Sequence, residues 1–163
     1  MISFFQKKSD KTSKNNLSLN DYYDSIRTGK WQDIVLQVRT GKIQKDFAPA
    51  VTISGVFKER KAQQIIEHSG VLCIDVDAKD QIATINIEDL KNDPYVNAIH
   101  QSISGTGGFA VYFKIDPQKH LDAFLGLEKY LFINYNIVID KSCKDVSRLR
   151  FISFDPDIFI NDK

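Results

Sequence analysis

The stretch Val71-Leu-Cys-Ile-Asp75-Val-Asp77 is apolar until it ends in two aspartates, and it predicts a buried strand with charge at one end. Side chains two residues apart in a strand point to the same face, about 6.5–7 Å apart. Asp75 and Asp77 therefore aim two carboxylates one way, while the apolar residues beside them enter the core. Two crowded carboxylates repel and favour a neutralising cation, and oxygen ligands suit Mg²⁺ or Mn²⁺. The alternative is that both aspartates are solvated in a turn with Asp80.

Strand and helix signals alternate on both sides of this stretch. Ser18 with Asp21 resembles a capping box at the start of a helix, and Gly29 ends that helix. Further helices are predicted over 31–38, from 86 or 87 to 94 and over 117–131, with a brief helical stretch around 64–67. Further strands are predicted over 49–54, 95–102, 109–115, 136–140 and 149–154. This order suits a sheet with helices on one face.

The composition excludes several classes of protein. With 163 residues, 42% of them hydrophobic, the chain is long enough for one domain with a core. The 22 Lys and Arg nearly balance the 21 Asp and Glu, so a formal charge of +1 excludes a uniformly basic coat for duplex DNA. Cys73 and Cys143 have no second Cys or His at ligand spacing, which excludes a zinc site. No run suits a membrane span or a signal peptide, so we expect a cytoplasmic protein.

Two segments are predicted along the chain. Residues 1–17 turn polar after Phe4 and Phe5, and they are interpreted as a solvated polar leader. Residues 18–163 then form the domain. The chain stops soon after a strand-like segment over 158–161 without a polar tail, which indicates a domain excised from a longer protein.

A glycine-rich segment, Ser102-Ile-Ser104-Gly105-Thr106-Gly107-Gly108, precedes the predicted strand at 109–115. Successive backbone N–H groups in such a loop can bind a phosphate or a carboxylate. The segment is not a P-loop, because the Lys-Ser/Thr after the last glycine is missing and a strand follows instead of a helix. The alternative is a flexible hairpin connection, which the same residues would serve equally well.

A third candidate lies near the end of the chain. Asp140 ends an apolar segment and could add a third carboxylate to a metal site, while Arg148 and Arg150 share a face if their segment is extended. An arginine pair suits recognition of a phosphate or a nucleobase. The alternative is a surface network of aspartate with lysine and arginine, which contributes little to stability or function.

The order of these elements resembles the catalytic core of the archaeo-eukaryotic primase superfamily, the primase–polymerases. The chain looks most similar to the N-terminal domain of virulence-associated E-type proteins, over about residues 18–161. The residues that carry this closer resemblance are Ala50-Val-Thr-Ile-Ser54-Gly-Val-Phe57 with Arg60, then His68-Ser-Gly70 leading into Asp75-Val-Asp77, and Ser147-Arg148 with Ser153-Phe-Asp155-Pro156. The resemblance implies an α/β (α+β) fold with a mostly antiparallel sheet backed by helices and an N-terminal helical extension.

The resemblance also implies roles for individual residues. Asp75 and Asp77 match the first two metal ligands of the superfamily and Asp140 matches the third acid, which makes these three both the expected metal ligands and the expected catalytic residues. The loop near the incoming nucleotide's phosphates is matched by Ser104, Gly105 and Gly107, with Arg148 and Arg150 as further nucleotide-binding residues. The chain departs from the pattern in the following strand, where primases usually place a phosphate-binding His and this chain has Phe109 and Ala110.

The expected function is metal-dependent nucleotidyl transfer, with Mg²⁺ or Mn²⁺ as cofactor, in DNA replication of a mobile element or phage-like system. Expected partners are single-stranded DNA or RNA, held by a patch of Lys58, Arg60 and Lys61, nucleoside triphosphates, and a helicase-like ATPase module in the same parent protein. The alternative is a non-catalytic nucleic-acid or nucleotide-binding module that assists a helicase, and the missing His favours it. Because crowded carboxylates repel, replacing Asp75 and Asp77 by Asn is expected to leave the metal-free domain as stable or more stable.

Overall fold

The computed structural model describes residues 1–161, and the strands and α-helices below are those of that range. The strands are β1 (Ile2–Phe5), β2 (Asn15–Leu17), β3 (Ala50–Thr52), β4 (Gly55–Phe57), β5 (Ile65–His68), β6 (Val71–Val76), β7 (Val96–Gln101), β8 (Phe109–Lys114), β9 (Arg150–Phe151) and β10 (Phe159–Ile160). The α-helices are α1 (Leu19–Thr28), α2 (Gln32–Arg39), α3 (Ile87–Lys91) and α4 (His120–Tyr135).

The strands form two four-stranded sheets and a hairpin. One sheet has the order β2-β1-β3-β9, the second has the order β10-β7-β8-β6, and β4 pairs with β5. The strand pairs are all antiparallel. The predicted class is therefore confirmed: the fold mixes α-helices with antiparallel sheets. No helix within residues 1–161 combines the length and the apolar character needed to cross a bilayer.

The second sheet is buried on both faces, and this determines where polar side chains can lie. Its central strand β8 sends Ala110 and Tyr112 into one apolar cluster, together with Tyr22 of α1. The alternate residues Val111 and Phe113 enter a second cluster, which packs against α4. Because both faces of β8 are covered, a functional cleft on this sheet is confined to the ends of its strands.

The first residues belong to the fold, so their interpretation as a solvated leader is wrong. Strand β1 lies between β2 and β3, and Ile2 and Phe5 are fully buried. The hydroxyl of Ser3, also fully buried, accepts a hydrogen bond from the Phe57 N–H at 3.0 Å. Apolar residues at the start of the chain thus complete the first sheet, and the exposed polar stretch begins only at Gln6.

The ends of α1 are as predicted. The Ser18 side chain accepts a hydrogen bond from the Asp21 N–H at 3.0 Å, and Gly29 ends the helix in the left-handed conformation at φ 78°. A side-chain cap and a C-terminal glycine satisfy backbone groups that the first and last turns leave unpaired. The local sequence is therefore sufficient to define this helix.

Two other predictions are corrected. The segment expected to be helical around 64–67 is strand β5, whose pairing with β4 places Gly55 opposite His68. A Cβ on Gly55 would lie 2.1 Å from the Glu67 carbonyl oxygen, so only glycine permits this close approach. The strand expected over 136–140 does not form. Its Val138 N–H donates to the Gln81 side chain at 3.0 Å instead of to a neighbouring strand.

Candidate functional site

Asp75 and Asp77 leave β6 on the face that the sequence predicts. Strand β6 alternates between buried Leu72, Ile74 and Val76 and the partly buried Cys73 and Asp75. Asp77 follows the last residue of the strand and is exposed. The period of two along a strand therefore places Asp75 on the face opposite to Ile74 and Val76.

Asp140 approaches Asp75 without being part of a strand. Its N–H donates to the Asp75 carbonyl oxygen at 3.0 Å, which brings the two residues side by side. Its carboxylate accepts a hydrogen bond from the Ser142 N–H at 2.8 Å and so caps a short 3₁₀ turn over Lys141–Lys144. Asp140 therefore takes its place from a backbone contact and a cap, and not from the end of the predicted strand.

Arginines neutralise two of the three aspartates. Arg150, at the start of β9, forms an ion pair with Asp75, and the two side chains are 9% and 22% exposed. The Arg148 guanidinium donates to the Asp140 carboxylate at 3.0 Å in a more exposed pair. Burial alone would raise the pKa of Asp140, but hydrogen bonding from Ser142 and the charge of Arg148 hold it below its usual value. The cation that the crowded carboxylates require is thus present within the chain.

One open cleft of about 300 Å³ collects most of these groups. The charged residues that line it are Lys8, Lys45, Arg60, Asp75, Asp77, Asp140, Asp145, Arg148 and Arg150. The hydroxyls of Ser102 and Ser104 reach the same cleft and lie 3.0 Å apart. The cleft therefore combines carboxylates, which suit a divalent cation, with cationic side chains and hydroxyl donors, which suit a phosphate ester.

The glycine-rich loop borders the acids. A Cβ on Gly108 would lie 3.2 Å from the Val76 carbonyl oxygen and 3.6 Å from the Asp77 carboxylate, so the loop runs directly against the end of β6. Gly105 and Gly107 both have positive φ, at 66° and 84°. The guanidinium of Arg39 holds the loop by donating to the Ser102 carbonyl at 3.2 Å and to the Phe154 carbonyl at 2.9 Å.

The acids offer oxygen ligands, and a cysteine lies among them. Ligand atoms of Asp75, Asp140 and Cys143 all lie within 4.8 Å of one another. Burial raises the pKa of the Cys143 thiol, so the sulfur stays protonated and is a poor metal ligand. The carboxylates of Asp75 and Asp140 are the oxygen donors of this cluster and suit Mg²⁺ or Mn²⁺, whereas Asp77 lines the same cleft but does not belong to the cluster.

Residues 42–159 match the family model described as the BT4734-like, N-terminal domain. The chain belongs to this family. No curated protein and no solved structure matches the chain. The matched residues include the three aspartates, the glycine-rich loop and both arginines of the ion pairs, whereas Lys8 lies outside them. The family match specifies no chemistry by itself.

Only part of the predicted nucleic-acid patch reaches the cleft of this BT4734-like domain. Arg60 lines it, but Lys58 and Lys61 do not, and Lys61 pairs with Glu59 at 2.8 Å. In the glycine-rich loop, Ser104 lines the cleft, whereas Gly105 and Gly107 shape the loop behind it.

Sequence analysis missed two lysines of the cleft. Lys8 follows β1, and Lys45 begins the 3₁₀ turn Lys45–Phe47. The sequence signal for Lys8 is the run of lysines in the N-terminal segment, and this run is typical of a solvated segment. The position of Lys8 follows from the pairing of β1 inside the first sheet, and that pairing is a tertiary contact.

The position at which the resemblance to primases predicts a His is closed to the cleft. Ala110 in β8 lies between Asp75 of β6 and His100 of β7, and it is fully buried. His100 itself is buried with both ring nitrogens occupied: Nδ1 donates to the Gln101 carbonyl at 2.7 Å, and Nε2 accepts from the Tyr112 hydroxyl at 2.7 Å. His100 therefore does not replace the missing residue in the cleft.

Proposed function

We propose that this BT4734-like domain carries out metal-dependent nucleotidyl transfer of the primase–polymerase kind. The observation that carries the proposal is that Asp75, Asp77 and Asp140 share one cleft with the arginines Arg148 and Arg150. Carboxylates suit the metal ions, and guanidinium groups suit the phosphates, of a nucleoside triphosphate. The resemblance to virulence-associated E-type proteins supports the same reading and adds a replication role beside a helicase-like ATPase module.

The residues of the cleft have distinct roles in this proposal. Asp75, Asp77 and Asp140 would hold Mg²⁺ or Mn²⁺, and a bound ion would supply Lewis-acid activation of a 3′-hydroxyl and charge stabilisation for the leaving pyrophosphate. Arg148 and Arg150 hold the triphosphate, and the Ser102 and Ser104 hydroxyls donate to it. Arg148 and Arg150 pair with Asp140 and Asp75 in the cleft, so a phosphate and a metal ion would each compete with these ion pairs.

A second candidate function is a binding module that keeps the fold without catalysis. Two observations favour it. Arg150 and Arg148 neutralise Asp75 and Asp140 without a metal ion, and the position of the phosphate-binding His is occupied by buried Ala110. Such a module would hold a nucleotide or a nucleic acid for a partner helicase.

Metal binding separates the two candidates. Asp77 is the best residue to change because it is exposed and makes no ion pair within residues 1–161. Asp77→Asn should keep the fold and lose metal binding, and exposed Asp80→Asn, outside the cleft lining, is the matched control. Mg²⁺ or Mn²⁺ with a nucleoside triphosphate should raise the melting temperature of the wild type and of the control, because a ligand specific for the folded state stabilises it.

Primer extension completes the test. Extension by the wild type and by Asp80→Asn, with loss in Asp77→Asn, would support nucleotidyl transfer. If the wild type binds the triphosphate equally well with and without metal and extends no primer, the result would support the binding module instead. A wild type that binds neither metal nor nucleotide would refute the proposed function.

A further inference from the structure

We infer that one wall of the cleft binds single-stranded nucleic acid through phosphate contacts and base stacking. This cationic wall consists of Lys8, Lys45 and Arg60, and the ring of Phe151 lies beside it. The inference rests on the proposed function, since it says where the polynucleotide lies relative to the nucleotide. It replaces the predicted patch of Lys58, Arg60 and Lys61 by a different set of residues.

Three separate segments build the cationic wall, and hydrogen bonds hold them together. The Lys8 N–H donates to the Asp46 carbonyl at 3.3 Å, which joins the segment after β1 to the turn that carries Lys45. The Arg60 N–H donates to the Lys11 carbonyl at 2.8 Å, and its guanidinium donates to the Lys8 carbonyl at 3.1 Å. The segments that carry the three cations are therefore held together by hydrogen bonds, which reduces the entropy lost when these segments bind a strand.

The cations keep capacity for phosphate. Arg60 has five N–H donors, and the structure engages two of them, with the Lys8 carbonyl and, at 3.5 Å, the Asp10 carbonyl. The Lys8 ammonium pairs with Asp46 at 2.8 Å, but both side chains are about half exposed. An exposed pair of this kind is weak, so a phosphate can compete for the ammonium.

An aromatic ring completes the wall. Phe151 lines the cleft and is partly exposed, and the Lys45 ammonium lies 5.9 Å from its ring centroid. A second ring, Phe47, is 66% exposed in the same short turn as Lys45. Cations that track a backbone beside rings that stack with bases are the combination found in single-strand binding sites. Stacking needs unpaired bases, which favours a single strand over a duplex.

The acids of the cleft limit where the strand can lie. Asp75, Asp77 and Asp140 would repel a phosphodiester backbone, whereas the cationic wall attracts it. The backbone is therefore attracted to Lys8, Lys45 and Arg60, which leaves the acids free for the metal ions and the incoming nucleotide. This separation gives the two substrates of nucleotidyl transfer their own parts of one cleft.

The test measures binding of labelled oligo-dT and oligo-U by fluorescence anisotropy, in EDTA, over a range of salt concentrations. Lys45→Ala should weaken binding and reduce the slope of log Kd against log salt by about 0.7, the value for one lost contact to a single strand. Lys61→Ala is the matched control, because Lys61 is exposed and lies outside the cleft lining. The control should match the wild type in affinity and slope.

A second variant tests stacking. Phe151→Leu keeps an apolar side chain on β9 but removes the aromatic face, and it should weaken binding by roughly tenfold with an unchanged salt slope. Melting temperatures establish that each variant is folded. A preference between oligo-dT and oligo-U would identify the strand as DNA or RNA, and equal binding of both would still support the inference.

Several results would overturn the inference. These are no binding of either oligonucleotide by the wild type at low salt, equal losses in Lys45→Ala and Lys61→Ala, or unchanged affinity in Phe151→Leu. Because EDTA removes divalent ions, these outcomes are independent of the metal and nucleotide tests of Asp77→Asn. Failure of the cationic wall would therefore leave the proposed function standing, and the two failures can be told apart.

Discussion

The ion pair between Arg150 and Asp75 makes the stability of this domain sensitive to a change at either residue. Arg150→Met keeps much of the side-chain volume but removes the charge, and it leaves the Asp75 carboxylate without its partner. The two side chains are 9% and 22% exposed, so water replaces the lost partner poorly. This reasoning also reverses the sign expected from the sequence for the double change of Asp75 and Asp77 to Asn, because its Asp75→Asn part leaves Arg150 unpaired and should destabilise the metal-free domain.

The ion pair between Arg148 and Asp140 in the same cleft provides a comparison for the energy of the Arg150–Asp75 pair. Breaking a buried ion pair typically costs about 3–5 kcal/mol, and an exposed pair is worth about 0.2–1 kcal/mol. Because Asp75 keeps some exposure, we expect Arg150→Met to lower the free energy of unfolding by about 3 kcal/mol. The side chains of Arg148 and Asp140 are 45% and 29% exposed, so Arg148→Met should cost less than about 1 kcal/mol.

Urea unfolding in EDTA measures these values through two double-mutant cycles. The cycle of Asp75→Asn with Arg150→Met should give a coupling energy of about 2 kcal/mol, because the double variant leaves no buried charge unpaired. The cycle of Asp140→Asn with Arg148→Met should give less than about 1 kcal/mol. Equal coupling energies in the two cycles, or a loss below about 1 kcal/mol in Arg150→Met, would refute the argument that burial makes the Asp75 pair strong.

Three further predictions concern the surroundings of the site. Ala110→His should destabilise the domain by about 1–3 kcal/mol or more in urea unfolding, because Ala110 is fully buried; a variant as stable as the wild type with tighter nucleotide binding would contradict this. Gly55→Ala should cost more than about 1 kcal/mol in the same assay, since its Cβ would collide with the Glu67 carbonyl, and an unchanged midpoint would show that the hairpin adjusts. The free energy of unfolding should fall as the pH is lowered from about 6.5 to about 4. Burial lowers the pKa of His100 and of His120 to about 4, so the unfolded chain binds more protons than the folded chain in this range. Unfolding at pH 7 and pH 5 checks this, and equal free energies at the two pH values would refute it.

The strands and helices with strong local signals follow from the sequence alone. The cap at Ser18 and the glycine at Gly29 define α1, because both satisfy backbone groups within a few residues of the chain. The apolar run before Asp75 defines β6 and places Asp75 on the face opposite to Ile74 and Val76, since alternation is a property of any strand. These interactions join residues that are close in sequence, so the local sequence is sufficient to predict these elements.

The environment of the carboxylates was decided by the tertiary structure. The sequence predicted Arg148 and Arg150 as phosphate ligands and left the acids to a metal, whereas the fold pairs Asp75 with an arginine 75 positions later. It also brings Lys8 of the first sheet into the cleft, and it holds the residues before Asp140 through a Gln81 side chain instead of a strand ladder. Which charged residues form ion pairs depends on which distant segments the two sheets bring together. Local propensity does not encode these long-range contacts.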